Sequence, residues 1–300
     1  MHIGIIGLGR MGYHMAERLL KAKHKVTGYN RSDEPTRKLA RKQGAIGAYS
    51  IEELVSSLPK PRIIWIMVPH KAVDQVLSQL SDHLQTGDII IDGGNSNYKE
   101  TLRRGDLLEK RGVHYIDCGV SGGLVGALEG YCLMYGGNAG ACKKLQPIFK
   151  ALAKKGGHGR VGERGAGHYV KMIHNGIEYG MMAAIAEGLE IIASGKYKDT
   201  NIKALCDIWN HGSIIESFLL RMMRDGLNAH PQLKDIKPYI AESGEGRWTV
   251  QEAMRCNVPS YVLSAALFGR WRSQQKNSYS ARAQAVMREQ FGGHAIKKKK

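Results

Sequence analysis

Gly7-Leu8-Gly9-Arg10-Met11-Gly12 constrains this chain more than any other stretch, because of where it stands. It follows an apolar strand pattern, His2–Ile6, and opens a helical one, Met11–Lys21. In that frame Gly7 makes a tight turn, Gly9 lets the backbone approach a pyrophosphate, and Gly12 lets helix and strand pack closely. The helix N-terminus then faces the anion. Leu8, Arg10 and Met11 complete the loop and are candidate cofactor contacts with it. A bare G-x-G-x-x-G is common by chance. The strand before it and the helix after it give it meaning.

The same alternation continues through the first half. Lys25–Tyr29 reads as strand and Glu34–Gln43 as helix. Ile63–Val68 and Ile89–Ile91, ending at Asp92, are continuous apolar runs, as expected of strands buried on both faces; Tyr115–Ile116 and Cys132–Tyr135 add two more. Strands alternating with helices of this length imply βαβ units and a mostly parallel sheet. The character changes at the glycine-rich stretch 156–167. Beyond it the patterns are helical: His168–Ser194, Asn201–Asn210, Ile214–Asp225, Val250–Asn257 and a last helix from about Ser260 to Phe291. The expected fold is α/β plus all-α. A doubly wound Rossmann domain over 1–163 precedes a helical substrate and dimerisation domain over 164–300, with the glycine-rich stretch as joint.

The formal net charge of +17 admits three readings: nucleic-acid binding, a basic solvated surface with a lysine tail at Lys297–Lys300, or a cleft that attracts anionic substrates. No basic run is interleaved with stacking aromatics, and no nucleic-acid-binding signature appears, so nucleic acid is set aside as the primary role. No apolar run approaches the roughly 18–20 residues that cross a bilayer. The strand pattern starts at His2, so no signal peptide is expected, and the chain is read as cytoplasmic. Its five cysteines are scattered without a C-x-x-C, which suggests neither a disulfide framework nor a zinc site. No metal is expected. His14, His24, His70, His83 and His230 are read as ordinary histidines.

At the end of the second strand an acidic residue would hold the ribose hydroxyls of NAD. Asn30-Arg31-Ser32 stands there instead. With no carboxylate to repel a 2′-phosphate, and an arginine and a hydroxyl able to bind one, this position favours NADP. Asp33 and Glu34 follow closely and could turn back toward a ribose.

The segment from Gly165 to Tyr179 is the most informative in the chain. At about 100° per residue, Lys171, His174, Asn175 and Glu178 share one helical face. Ile173, Ile177 and Met181 take the opposite face, while Gly176 and Gly180 allow a neighbour to approach. A surface helix is also amphipathic, so the pattern alone decides nothing. The composition is more telling: an amine, an imidazole, an amide and a carboxyl, with no repeated Glu/Lys filler.

Gly165 to Tyr179 resembles the active-site helix of the 6-phosphogluconate dehydrogenases, G-x-G-H-x-V-K-M-x-H-N-G-I-E-Y. Further stretches agree: the glycine loop, Ile90 to Asn95, and Asp117 to Gly123 with its Ser121-Gly122-Gly123 triplet. Gly246-Arg247-Trp248-Thr249 is similar to the family's G-K-W-T, Phe268-Gly269-Arg270 to its F-A-R, and Arg288 through His294 to its R-x-x-F-G-x-H tail. The resemblance implies that Lys171 is the general base taking the 3-hydroxyl proton as hydride leaves C3 for the nicotinamide. A 3-keto acid then loses CO2 without a metal, and Glu178 protonates C1 of the enediol. Asn95, Ser121, Gly122, Gly123, His174 and Asn175 would hold the carboxylate and hydroxyls. Tyr179, Arg247, Thr249 and Arg270 would hold the phosphate, with Arg288 and His294 arriving from a second subunit of a homodimer or homotetramer. Val68 and Asn95 would touch the cofactor. Neighbouring cations or burial would have to lower the lysine pKa for it to act near neutral pH.

Three departures bear on detail. The chain resembles the short class of the family, which lacks a duplicated helical extension and is often NAD-dependent, against the reading of Asn30-Arg31-Ser32. Arg247 replaces the usual lysine, and its fork suits a phosphate. Pro69 stands where long members tend to carry a lysine. The pathway, oxidative pentose phosphate or gluconate utilization, stays open. The competing readings are a β-hydroxyacid dehydrogenase for an unphosphorylated acid such as 3-hydroxyisobutyrate, and a non-catalytic dinucleotide- or nucleic-acid-binding protein.

Overall fold

The computed structural model describes residues 1–297. It divides into two units, Met1–His174 and the remainder from Asn175. The first is built on one eight-stranded sheet in the order β3-β2-β1-β4-β5-β6-β7-β8. Its strands are β1 (His2–Ile6), β2 (Lys25–Tyr29), β3 (Ala45–Ala48), β4 (Ile63–Ile66), β5 (Ile89–Asp92), β6 (His114–Ser121), β7 (Tyr131–Gly136) and β8 (Ala153–Gly162). Strands β1 to β6 run parallel; β7 pairs antiparallel to β6 and parallel to β8. The helices of this unit are α1 (Arg10–Lys21), α2 (Asp33–Ala40), α3 (Ile51–Ser56), α4 (Val73–Ser81), α5 (Tyr98–Glu109), α6 (Gly126–Glu129), α7 (Ala139–Lys144), α8 (Gln146–Leu152) and the first turns of α9 (Ala166–Ser194).

The central strands bury both faces, as their unbroken apolar runs require. Ile63 and Trp65 of β4 join one core with Ile3, Ile5, Ile89 and Ile91, while Ile64 and Ile66 join another with Ile6, Ile90 and Tyr115. The two-residue period of a strand sends alternate side chains to opposite faces. Burying each such Ile contributes about 1.5–3 kcal/mol, so the sheet's middle is its most rigid part.

The second unit is helical: the rest of α9, then α10 (Ile202–Trp209), α11 (Phe218–Ala229), α12 (Glu245–Arg255), α13 (Tyr261–Gln274) and α14 (Tyr279–Gly292). Asn201, Ser217 and Ser278 cap α10, α11 and α14 through side-chain oxygens that accept amides of the first turn. Among the described residues, most of its buried apolar side chains form two small groups, one around Tyr179, Val250, Ala266 and Leu267, the other around Leu189, Cys206 and Leu220.

Several local expectations are corrected. Stretch 156–167 is not a joint: its first seven residues finish the edge strand β8, where Lys154, Lys155 and Arg160 replace an apolar run. Charged residues suit an edge, which must not recruit another chain. The two compact units part within α9, whose first turns pack on β6 and β7. The short edge strand β3 lies in a stretch to which no element was assigned. The expected last helix is two, parted at 275–278 where Ser278 starts α14. The helix expected from Ile214 begins at Phe218. Of the terminal lysines only Lys297 lies within the described residues.

Candidate active site

The glycine loop has the geometry that its sequence promised. Gly7 sits at φ +98°, and its amide donates to the Tyr29 carbonyl at 2.9 Å. Gly12 lies so close to the Gly7 carbonyl that any side chain would overlap it, and Val68 packs 2.9 Å from the place of a Cβ on Gly7. Gly9 is the reverse: nothing lies within 4 Å of its missing side chain. It starts α1 without a side-chain cap, while Arg10 is exposed and Met11 packs on the core. An open glycine at an uncapped helix start is a cradle that a Cβ would obstruct, and it fits a dinucleotide pyrophosphate. Leu8, by contrast, is buried, and its amide donates to Asn30 Oδ1 at 3.0 Å.

Asn30 therefore ties the end of β2 to the loop. Its Nδ2 donates to the Ser32 carbonyl and to Ser32 Oγ, at 3.1 and 2.9 Å. Arg31 and Ser32 are exposed. Asp33 opens α2 and pairs with Arg37 at 3.2 Å, so its carboxylate is engaged along its own helix.

At the other end of the sheet, β6 organises one flank of α9. Residues 117, 119 and 121 share a strand face, and each meets one turn of the helix. Asp117, fully buried, accepts the Gly165 amide at 2.7 Å and the His168 amide at 2.8 Å. Gly119 leaves room for the Lys171 stem: a Cβ there would overlap Lys171 Cβ and stand 2.9 Å from its Cγ. Ser121 Oγ lies 3.3 Å from His174 Nε2, and His174 Nδ1 lies 3.4 Å from Lys171 Nζ. Lys171 is only 6% exposed. A buried amine beside an imidazole can exchange a proton with a bound hydroxyl while water is kept away.

Asn95 is delivered by a second buried aspartate. Asp92 accepts the Gly94 amide, Ser96 Oγ and Tyr115 OH at 2.8–2.9 Å, with Arg104 at 3.6 Å. This holds Asn95 at φ +52°, a left-handed conformation that asparagine tolerates better than most residues. Gly122 and Gly123, both at positive φ, carry the chain away from Ser121.

In the helical unit, three expected phosphate contacts converge on residues 241–243. Arg270 donates to the Ala241 carbonyl at 2.8 Å, and Arg247 pairs with Glu242 at 2.9 Å. The Tyr179 hydroxyl lies 3.3 Å from Ser243 Oγ, with the Arg270 guanidinium 3.5 Å above its ring. Thr249 is buried; its hydroxyl donates to the Glu245 carbonyl, and its methyl packs on Gly176. Gly180 meets Val262 and Leu263, so Gly176 and Gly180 both admit a neighbour. Asn175 and Glu178 are half-buried on the unbroken helix. Arg288 and His294 are exposed at the end of α14, with the His294 ring edge-on to Phe291.

On the opposite face of α9, Ile177 and Met181 are 50% and 43% exposed. Asp117 and Gly119 were quoted within a motif but given no role. A carboxylate and a glycine inside a buried strand were the available signals. Among the described residues no cluster of metal-ligating side chains occurs, and no helix is long and apolar enough to cross a membrane.

Two family models divide the chain between them. Residues 2–170 match the NAD binding domain of 6-phosphogluconate dehydrogenase, and residues 167–300 match the 6-phosphogluconate dehydrogenase C-terminal domain. The chain belongs to the 6-phosphogluconate dehydrogenase family. It is 40% identical over 302 residues to an NAD(+)-dependent, decarboxylating 6-phosphogluconate dehydrogenase of Haloferax volcanii, covering 100% of this chain and 99% of that one. It superimposes on the Plasmodium falciparum 6-phosphogluconate dehydrogenase with a TM-score of 0.82 at 30% identity, covering 97% of this chain and 65% of that longer one. A 3-hydroxyisobutyrate dehydrogenase of Salmonella typhimurium shares the fold at a TM-score of 0.71 and 21% identity, over 89% of this chain and 92% of that one. The family thus includes members of this chain's length and others with an extension.

Proposed function

We propose that this chain oxidatively decarboxylates 6-phospho-D-gluconate to D-ribulose 5-phosphate and CO2, reducing NAD or NADP. The observation that carries the reading is Lys171, buried against Gly119 and beside His174, within a helix whose first half, to Tyr179, follows the family pattern. The nicotinamide, when bound, accepts the hydride that leaves C3. Lys171 takes the 3-hydroxyl proton, and its ammonium then polarises the C3 carbonyl while the C1 carboxylate leaves as CO2. Glu178 returns a proton to the former C2, which becomes C1 of ribulose 5-phosphate. Asn95, Ser121, Gly122, Gly123, His174 and Asn175 bind the carboxylate and hydroxyls; Tyr179, Arg247, Thr249 and Arg270 bind the phosphate.

Gly7, Gly9 and Gly12, with Leu8, Arg10, Met11, Val68 and Asn95, hold the dinucleotide. Arg31 and Ser32, exposed beyond Asn30, suit a 2′-phosphate, whereas the full-length Haloferax relative is named NAD(+)-dependent. Arg288 and His294 complete the site of a second copy in a homodimer or homotetramer. The exposure of Tyr279 (79%), Phe291 (78%) and Ile191 (72%) supports that assembly. The protein acts in the cytoplasm on a small molecule, without nucleic acid or membrane.

The test is initial rates with 6-phosphogluconate and with 3-hydroxyisobutyrate, each with NAD and NADP, following nicotinamide reduction and CO2 release together. One CO2 per reduced nicotinamide from 6-phosphogluconate is the expected result. Turnover of the unphosphorylated acid alone would replace this reading with that of a β-hydroxyacid dehydrogenase.

A further inference from the structure

We propose that Asp117 is a positioning residue for Lys171: its carboxylate is the N-terminal cap of α9, and it sets where the Lys171 amine is held. This rests on the assignment of Lys171 as the base. The first turn of a helix leaves amide protons without partners, and a side-chain oxygen usually supplies the partner from the residue just before the helix. Here that place is Gly165, which has no side chain to offer. Asp117 supplies both oxygens from β6 instead, one to the Gly165 amide and one to the His168 amide. A carboxylate also complements the positive end of the helix dipole.

Three further features make this a clamp with one setting. Gly167 is wedged between the Asp117 and Met134 carbonyls, with no room for a side chain. The His168 side chain is 1% exposed, and its Nδ1 lies 2.7 Å from Thr101 Oγ1 of α5. Lys171 follows one turn later, its stem against Gly119, two residues along β6 from Asp117. The residue that caps the helix and the residue that seats the lysine are therefore on one face of one strand. A slip of the helix start moves Nζ relative to everything else β6 presents, Ser121 included.

The test compares Asp117→Asn with Asp88→Asn. Asp88 is equally buried and accepts the Arg62 and Gln85 amides at 2.7 and 3.0 Å, but at the start of β5, far along the sheet from Lys171. In Asp117→Asn one amide must face the new NH2 group. Its kcat with 6-phosphogluconate should fall on the order of 10- to 100-fold, because small misplacements of a reacting group are costly. KM for substrate and cofactor should stay within about threefold, and amides 165–171 should exchange hydrogen about tenfold faster. Asp88→Asn should melt earlier with kcat unchanged per folded molecule. If Asp117→Asn does not fold, Thr101→Val reads the other jaw of the clamp, and a lower kcat at constant KM is expected. Parental kcat in the folded variant, or an equal loss in Asp88→Asn, overturns the proposal. An unmutated enzyme inert toward 6-phosphogluconate would instead defeat the functional reading beneath it.

Discussion

The two units solve the problem of burial differently. In the first, every central strand is covered on both faces, and Ile3, Ile64, Trp65, Ile90 and Ile91 have no exposed surface. In the second, two small buried groups coexist with large apolar side chains left in the open, among them Ile191, Tyr261, Tyr279 and Phe291. The contrast teaches that the dinucleotide unit concentrates its large apolar residues on the two faces of its sheet, while the helical unit has small cores and exposed apolar side chains, on which the proposed assembly of copies would rest. The chemistry follows the same division. The residues expected to need fixed positions, Lys171 and Asn95, stand against β6 and just past the end of β5, two strands inside the sheet; those expected to reach across copies, Arg288 and His294, stand at the open end of α14.

The sharpest way to break that contrast is to shorten the chain before Arg288. We expect KM for 6-phosphogluconate to rise by on the order of 100-fold, the loss of two charge-assisted phosphate contacts. KM for the cofactor should be unchanged, since the dinucleotide unit is untouched. Steady-state kinetics on the truncated chain measures both, and an unaffected substrate KM would remove the partner contribution.

A smaller effect is expected from Gly119→Ala. The new methyl must displace the Lys171 stem, and overpacking of this kind costs about 1–3 kcal/mol of stability. Activity should fall by more than the stability loss explains, because the displaced group is the proposed base. Melting temperature and kcat measured on one preparation separate the two; unaltered kcat would mean that the lysine's seat is slack.

How much of this was legible varies with burial. The glycine loop, the limits of β1 and β2 and the length of α9 could be read directly, because periodic apolar runs and glycines at fixed offsets record local physics. Strand β8 could not: its outer edge faces solvent, so its residues read as a basic, glycine-rich linker. The break between α13 and α14 was hidden because Gln275 to Asn277 carry no proline or glycine to announce it. Asp117 was visible as a residue but silent as a cap, since its amide donors lie some fifty residues away in sequence. Ser243 and Glu242, which engage Tyr179 and Arg247, sit in a turn with no periodicity to read.

The smallest expected effect concerns acid stability in the sheet unit. The Arg104 hydrogen bonds to Asp74, helped by Arg103 and opposed by burial, hold its carboxyl down to about 2. A folded value below the unfolded one means that the stabilisation is complete above about pH 4 and is lost as pH falls through 2. The full shift would correspond to about 2.5 kcal/mol, but this carboxyl is half-exposed and screened, so about 1 kcal/mol is expected. Melting of Asp74→Asn against the parent should show that difference at pH 6 and lose it near pH 2. A constant offset would place the effect elsewhere.

The central claim is that Lys171 removes the hydroxyl proton as hydride leaves. Lys171→Met fills the same buried space without an amine, and its hydride transfer can be followed in a single turnover with cofactor and 6-phosphogluconate bound. A loss of between about 10²- and 10⁴-fold, with cofactor affinity unchanged, is the predicted result. Transfer at the parental rate would contradict the account.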